Sequence, residues 1–577
     1  MGLRSIFISC LMLFSFCLKS QTPETGDCSF STDLTVIDIN NVSTTIQNSD
    51  VKWWDEVNQN YEIPKGSGIH SMYAGSIWIG GLDEDEQIHL AGGRYIKGDF
   101  YPGPISENDG NTDSDNCTDY DKLWVVYRSD VEDFIENYSD PSYEIPESIL
   151  SWPAHGDESQ GHAEYLAPFY DNNGDGLYNP EDGDYPAFNI SGELTCEESL
   201  KGDVCVYWIM NDTGNEHENT EGLPLGVEVH CMMFAYTSNE DAVNNATFYD
   251  YRFINRSLND YHDVYFAHWS DPDIGCANDD YVACDVERSM GYTYNGLAVD
   301  DDCGLQSGYG SNPPAIGVKI LDAPWSMDEQ VADHIKMSYF TYFINQSQAS
   351  PTGDPVYAAE YYNYMRGVWK DGTSFVYGGN GHVGGGGDTD LPCRYMFPSE
   401  SDQVNHWGTN GSAALPWSEE TVSNPPGDRR MILSNGPFDL ASGEEFRVTL
   451  AVPWARDLDD PDPKAAVYRL QEAADILQEL HDDCYGEDVL NVVEYKANEI
   501  KCYPNPFSTQ TYFKIDGYQG NYTLRVYDLY GKLVREQQGR QTGEIIFDRK
   551  GLAQGTYIYS IQVGDEARQT GKMVVMD

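Results

Sequence analysis

The chain has 577 residues, with 34 Lys and Arg against 95 Asp and Glu, a net charge of −61, and 40% hydrophobic residues. That apolar content fills a folded core and excludes wholesale disorder, while the carboxylate excess excludes nucleic acid and anionic membrane as natural partners. The length predicts two to four domains.

Taken from the start, Arg4, the apolar run Ile6 to Leu18, and Lys19-Ser20-Gln21 read as a secretory signal peptide over residues 1–20, cleaved after Ser20. No later stretch approaches the roughly 20 apolar residues a membrane helix needs, so no transmembrane segment is expected in the mature chain. Of 13 Cys, two leave with the signal, and ten remain if Cys502 is removed with the C-terminal segment. These are Cys28, Cys117, Cys196, Cys205, Cys231, Cys276, Cys284, Cys303, Cys393 and Cys484. An even set in an exported chain predicts disulfides, and no Cys-x-x-Cys pair points to a metal or redox site. The short spacings favour Cys196 with Cys205 and a pair within Cys276, Cys284 and Cys303.

From Val51 to Pro104, short apolar runs between Gly, Pro and Asp read as strands and loops. Trp53-Trp54, Trp78 and Tyr101 fit a β-rich core; exposed members of the set would stack on sugar rings.

Asp171-Asn172-Asn173-Gly174-Asp175-Gly176, continuing to Asn179 and Asp182, places oxygen side chains at loop positions one, three, five, nine and twelve, with Gly at six. Calcium takes six to eight hard oxygens at about 2.3–2.6 Å, and the carbonyl of Leu177 would fill position seven. The expected metal ligands are therefore Asp171, Asn173, Asp175, Leu177, Asn179 and Asp182, with Asp184 as an alternative to Asp182. Pro168 and Pro186 stand where the helices of an EF-hand would run, so the loop is similar to the acidic calcium loops of dockerins and thrombospondin repeats, set between strands.

Tyr249 to Asn255 and Asp263 to Trp269 alternate like paired strands. The acidic run Asp271, Asp273, Asp279, Asp280 and Asp285 that follows is a second cation candidate without fixed loop spacing. His155 and His162 read as solvated loop residues. Gly379-Asn380-Gly381-His382-Val383-Gly384 spells a dinucleotide fingerprint, but the glycines at 385–387 and Pro392 follow where a helix should begin. Neither a zinc-protease helix, a serine-hydrolase elbow nor a Walker loop is present.

Glu445 to Val452 reads as a strand. Asp462 caps a helix over 463–482, Pro463 suits its first turn, and Ala466, Val467, Leu470, Ala473, Ala474, Leu477 and Leu480 form one apolar stripe. Residues 483–499 read as a linker between the mature body, 21–482, and a C-terminal domain, 500–577. In that domain Thr511 to Ile515, Tyr522 to Tyr527, Glu544 to Phe547, Thr556 to Val563 and Lys572 to Val575 read as strands of a small antiparallel β-sandwich.

Four blocks there carry a resemblance: Tyr503-Pro504-Asn505-Pro506-Phe507, the stretch Val526 to Val534, Gly551 to Tyr557, and Gly571-Lys572-Met573-Val574-Val575. Together they resemble the type A C-terminal sorting domain of the type IX secretion system of Bacteroidetes. The resemblance implies passage across the outer membrane, contact with the secretion machinery, and removal of the domain by a sortase-like protease. The blocks at 77–83, 99–104, 171–186 and 429–440 also resemble a widespread type of large cargo of that system, which brings no activity or catalytic residue with it.

The expectation is thus a mainly β, sandwich-like body closed by one amphipathic helix and followed by a sorting sandwich. Its expected role is a calcium-binding, structural or adhesive protein at the cell surface or released, with surface polysaccharide a candidate partner. The alternative is a secreted hydrolase acting on glycans, or a carbohydrate-binding protein.

Overall fold

The computed structural model describes residues 23, 25–55, 58, 60–95, 98–187, 200–324, 334–344, 350–485, 501–514, 521–527, 532–540, 544–563 and 569–576. The expected signal peptide at 1–20, Cys196, most of the linker, and the turns at 516–517, 530–531 and 564–565 lie outside these residues. The chain divides into two compact units, Met1–Gly486 and Glu487–Asp577.

The body is built on two antiparallel sheets. The larger has 10 strands and runs in the order Asp280–Asp285, Met290–Asn295, Ala315–Asp322, Glu445–Val452, Thr247–Asn255, Val227–Ala235, Val204–Asn211 and Tyr101–Pro102, with Trp454–Ala455 and Trp124–Tyr127 paired alongside. The second has 5 strands, in the order Tyr339–Ile344, Arg429–Leu440, Tyr261–Asp271, Ala74–Leu82 and Ile88–Ala91. One apolar core joins them: Val229, Cys231 and Met233 of the larger sheet pack in the same cluster as Trp78, Phe266 and Leu433 of the smaller. Every residue of Val227–Ala235 is buried, so this strand is covered on both faces.

Tyr249 to Asn255 and Asp263 to Trp269 do form strands, but they do not pair with each other. Thr247–Asn255 lies between Val227–Ala235 and Glu445–Val452, whereas Tyr261–Asp271 lies between Arg429–Leu440 and Ala74–Leu82. The short connection between them carries the chain from one sheet to the other, and Phe253 meets Phe266 across the gap at 5.8 Å between ring centroids. Alternation reports a half-buried strand and cannot report its partner.

The helix spans Pro463–Asp482, with Asp462 accepting from the Lys464 N–H at its start. All seven residues of the expected stripe are buried. Shorter helices accompany it, Ala358–Met365 among them.

In the second unit, Lys501–Tyr503, Gln510–Lys514 and Glu544–Asp548 form a 3-stranded sheet, and Leu533–Arg540, Asn521–Tyr527, Gly555–Val563 and Gln569–Val575 a 4-stranded one. Phe513, Phe547, Leu524, Val526, Tyr559, Ile561 and Met573 share its core. The five expected strands are present, and Lys501–Tyr503 and Leu533–Arg540 are added to them.

Candidate functional site

The Asp171 segment folds as a wound acidic loop between the strand pair Phe169–Tyr170 and Tyr185–Pro186. Asp171 accepts from the N–H groups of Gly174 and Gly176, each at 2.7 Å, and these bonds hold its carboxyl below the usual carboxylate range. Gly174 and Gly176 have φ of +74° and +80°, the left-handed conformation that this winding requires. Asn173 Oδ1 accepts from the Asp175 N–H and Asp175 Oδ1 from the Leu177 N–H, at 2.9 and 2.8 Å. Asn179 Nδ2 donates to Asp182 Oδ2 at 2.7 Å. Asp184 is buried, and its two oxygens accept from the N–H groups of Asn172 and Asn179, which ties the two ends of the loop together. Asn173, Asp175, Leu177 and Asp182 face solvent, while Asp171 and Asn179 are half-buried.

A tighter cluster lies at the end of the five-stranded sheet. Asp271 closes one strand, Arg429 and Arg430 open its neighbour, and the ladder pairs Ser270 with Met431, so the next step sets Asp271 opposite Arg430. Asp271, Asp273 and Asp428 each place a carboxylate oxygen within 4.8 Å of the others, the one such group of three metal-ligating side chains among the described residues.

Arg430 donates to Asp271 Oδ2 at 3.1 Å and to Asp428, and its Nε donates to the Tyr95 hydroxyl at 2.7 Å. The Tyr95 hydroxyl in turn donates to Asp271 Oδ2 at 2.9 Å, and Gln306 Nε2 to Asp273 Oδ2, also at 2.9 Å. Asp271 Oδ1 is buried with no hydrogen-bond partner among the described residues. Burial, and then the charge of Asp428, pushes Asp273 up to about 7. Burial, and then the charge of Asp273, pushes Asp271 well above the carboxylate range. Trp54, Tyr73 and Tyr95 stand half-buried beside these carboxylates, with centroid separations of 6.0 to 6.4 Å among the three rings.

This arrangement can hold a hard divalent cation, whose charge would offset the packed carboxylates. It also offers a carboxyl group, Asp273, whose hold on its proton burial strengthens, beside aromatic faces. Sequence reading found Asp271 and Asp273 but not Asp428, Arg430 or Tyr95, which only the strand register brings to them.

Other candidates fall into structural roles. Trp53 and Trp78 are fully buried in the core. His155 accepts from the Tyr178 N–H at 3.0 Å and braces the Asp171 loop, and His162 is buried rather than solvated. The glycine run at 379–384 begins no α-helix; His382 caps a single short turn over Val383–Gly385.

Disulfides join Cys28 to Cys117 and Cys276 to Cys303, and Cys484 is also disulfide-bonded. Cys276–Cys303 is the expected pair within Cys276, Cys284 and Cys303, while Cys205, Cys231, Cys284 and Cys393 are buried thiols, which overturns the pairing of Cys196 with Cys205. Cys205 sits within a ladder opposite Phe234, where no second sulfur meets it.

Residues 501–576 match the family described as the secretion system C-terminal sorting domain. They are a type IX sorting domain. The sorting domain marks the chain as cargo exported through the outer membrane to the cell surface or the medium, and it implies interaction with the type IX machinery. Among the described residues, no helix is long and apolar enough to cross a membrane. No curated protein matches the chain. Among solved structures, a polysaccharide lyase aligns over 60% of this chain and 34% of its own, at 9% identity and a TM-score of 0.18. The chain therefore spans about a third of that protein's length, at a score from which nothing follows for fold or activity.

Proposed function

We propose that the body preceding the sorting domain is a calcium-binding structural or adhesive protein of the cell surface or the secreted fraction. The observation that carries this reading is the Asp271, Asp273 and Asp428 cluster, with a buried Asp271 oxygen that has no hydrogen-bond partner among the described residues. A calcium ion coordinated there, or in the Asp171 loop, neutralises carboxylates that otherwise repel one another in a chain of net charge −61. Binding to the folded state alone raises stability by mass action. The test is melting of the full chain with chelator and with millimolar calcium, repeated for Asp171→Ala/Asp175→Ala and Asp271→Asn/Asp273→Asn. Expected is a rise in melting temperature that one of the double variants loses. Coincident melting curves with and without calcium would remove the reading.

A second reading rests on Asp273, pushed up to about 7 beside Trp54, Tyr73 and Tyr95. A carboxyl group poised there can serve as general acid or base toward a glycan that stacks on the rings. Polysaccharide turnover that Asp273→Asn abolishes supports this reading over the first, and binding without products reduces it to carbohydrate recognition.

A further inference from the structure

A cavity of about 520 Å³ opens between the larger sheet and the C-terminal half of the Pro463–Asp482 helix. Its walls carry five Lys and Arg side chains against five Asp and Glu, in a chain whose acids outnumber its bases 95 to 34. Cations are therefore concentrated here relative to the rest of the molecule.

The wall charges pair unequally. Arg447 grips Asp250 through Nε at 2.7 and 2.9 Å, and Arg288 grips Asp475 through two nitrogens at 2.8 Å each. Lys319 has no such partner. Its side chain comes from the strand Ala315–Asp322 and is 3% exposed, and its ammonium donates to the Arg288 carbonyl at 2.7 Å. Among the described residues, no carboxylate lies within ion-pair distance of it. The carboxylates of Asp285 and Asp475 act on its charge only from beyond contact, so a buried ammonium that makes one hydrogen bond retains two donors, an arrangement that is costly unless an anion completes it. Lys201 lines the same cavity, with its ammonium 4.4 Å from the Tyr485 ring centroid and donating to the Cys484 carbonyl at 3.3 Å.

We propose that this cavity is a binding site for a compact oxyanion, the carboxylate, sulfate or phosphate group of a small solute or of an acidic sugar, held by Lys319 with Lys201 beside it. Burial lowers both lysines to about 8, which leaves them largely charged at neutral pH and ready to receive an anion. The bound anion replaces water that the Lys319 ammonium lost on folding with a charge-assisted hydrogen bond. None of the wall residues belongs to the Asp271 cluster or the Asp171 loop, so this inference is independent of the calcium reading.

The test is calorimetry and melting of the full chain in chelator with inorganic phosphate, with sulfate and with glucuronate, against sodium chloride at equal ionic strength. Expected is saturable binding of at least one oxyanion, at least tenfold tighter than any chloride effect and lost in Lys319→Met. Lys201→Met is read alongside and should weaken the same binding, and it serves as the reporter should Lys319→Met fail to fold. Saturation by phosphate or sulfate assigns the site to an inorganic or ester oxyanion, and saturation by glucuronate alone assigns it to an acidic sugar. Responses no larger than those to chloride, or binding that survives the substitutions, would overturn the proposal.

Discussion

Arg429 donates to Glu419 through both Nε and Nη2, the latter at 2.9 Å, with the two side chains 8% and 0% exposed. Glu419 Oε1 also accepts from the Val282 N–H at 3.0 Å, so one carboxylate ties the start of Arg429–Leu440 in the smaller sheet to Asp280–Asp285 at the edge of the larger. Glu419→Leu should cost about 3–5 kcal/mol, because it leaves a buried guanidinium without its counter-charge. Glu419→Leu/Arg429→Met should recover much of that loss, which removes the stranded charge along with its partner. Denaturant midpoints of the three proteins check this, and a double variant as unstable as the single would refute it.

Asp50 gives the pH dependence a definite sign. It is fully buried, accepts from Ser76 Oγ at 2.9 Å and the Gly98 N–H at 3.1 Å, and burial lifts it to about 6 against the lowering effects of Ser76 and Lys52. A carboxyl group raised in the folded state contributes fully at and below its unfolded value near 4, and that contribution is lost as pH rises through about 6. The size is on the order of 3 kcal/mol between those limits. Asp50→Asn removes the titration, so the melting temperature of the original chain relative to the variant should fall between pH 4 and pH 6 and stay level above. A difference that does not change over this range would show that Asp50 ionises as it does in water.

How much of this was readable in advance depends on the range of the interaction. The helix was legible to its ends, because Asp462, Pro463 and the stripe from Ala466 to Leu480 act within a few residues of one another. The sorting sandwich was legible through its turns and alternation, although Leu533–Arg540, mostly exposed, carried too little apolar signal to be seen. The acidic cluster was only half legible. Arg430 and Asp271 stand 159 residues apart, and only the pairing of two strands brings them together. For the same reason Tyr249 to Asn255 was readable as a strand but its partners were not.

Of the two disulfides with described partners, the one that closes the longer stretch of chain should contribute more, by the logarithm of the loop length. Cys28–Cys117 spans a separation of 89 residues and Cys276–Cys303 one of 27. Loop-closure entropy then gives about 4–5 kcal/mol for the first and about 3–4 for the second. Cys28→Ser/Cys117→Ser should therefore melt lower than Cys276→Ser/Cys303→Ser, each compared with the oxidised full chain. The reverse order would mean that packing around Cys276, rather than loop length, sets the contribution.

The sorting domain should act as a separable export signal, because it has its own two-sheet core around Phe513, Leu524, Phe547 and Ile561. A chain lacking residues 501–577 should accumulate inside the outer membrane of a host that has the type IX machinery, while the full chain reaches the surface or the medium. Fractionation and protease accessibility of intact cells measure this directly. Phe513 is fully buried and stacks edge-on against Tyr559 at 4.8 Å, so Phe513→Ala should remove about 3–5 kcal/mol from the domain. A sorting domain of fewer than 80 residues has little stability to spare. If the machinery recognises the folded sandwich, Phe513→Ala will block export as the deletion does. If it reads the terminal strand alone, export will persist in Phe513→Ala and fail only when Gln569–Val575 is removed.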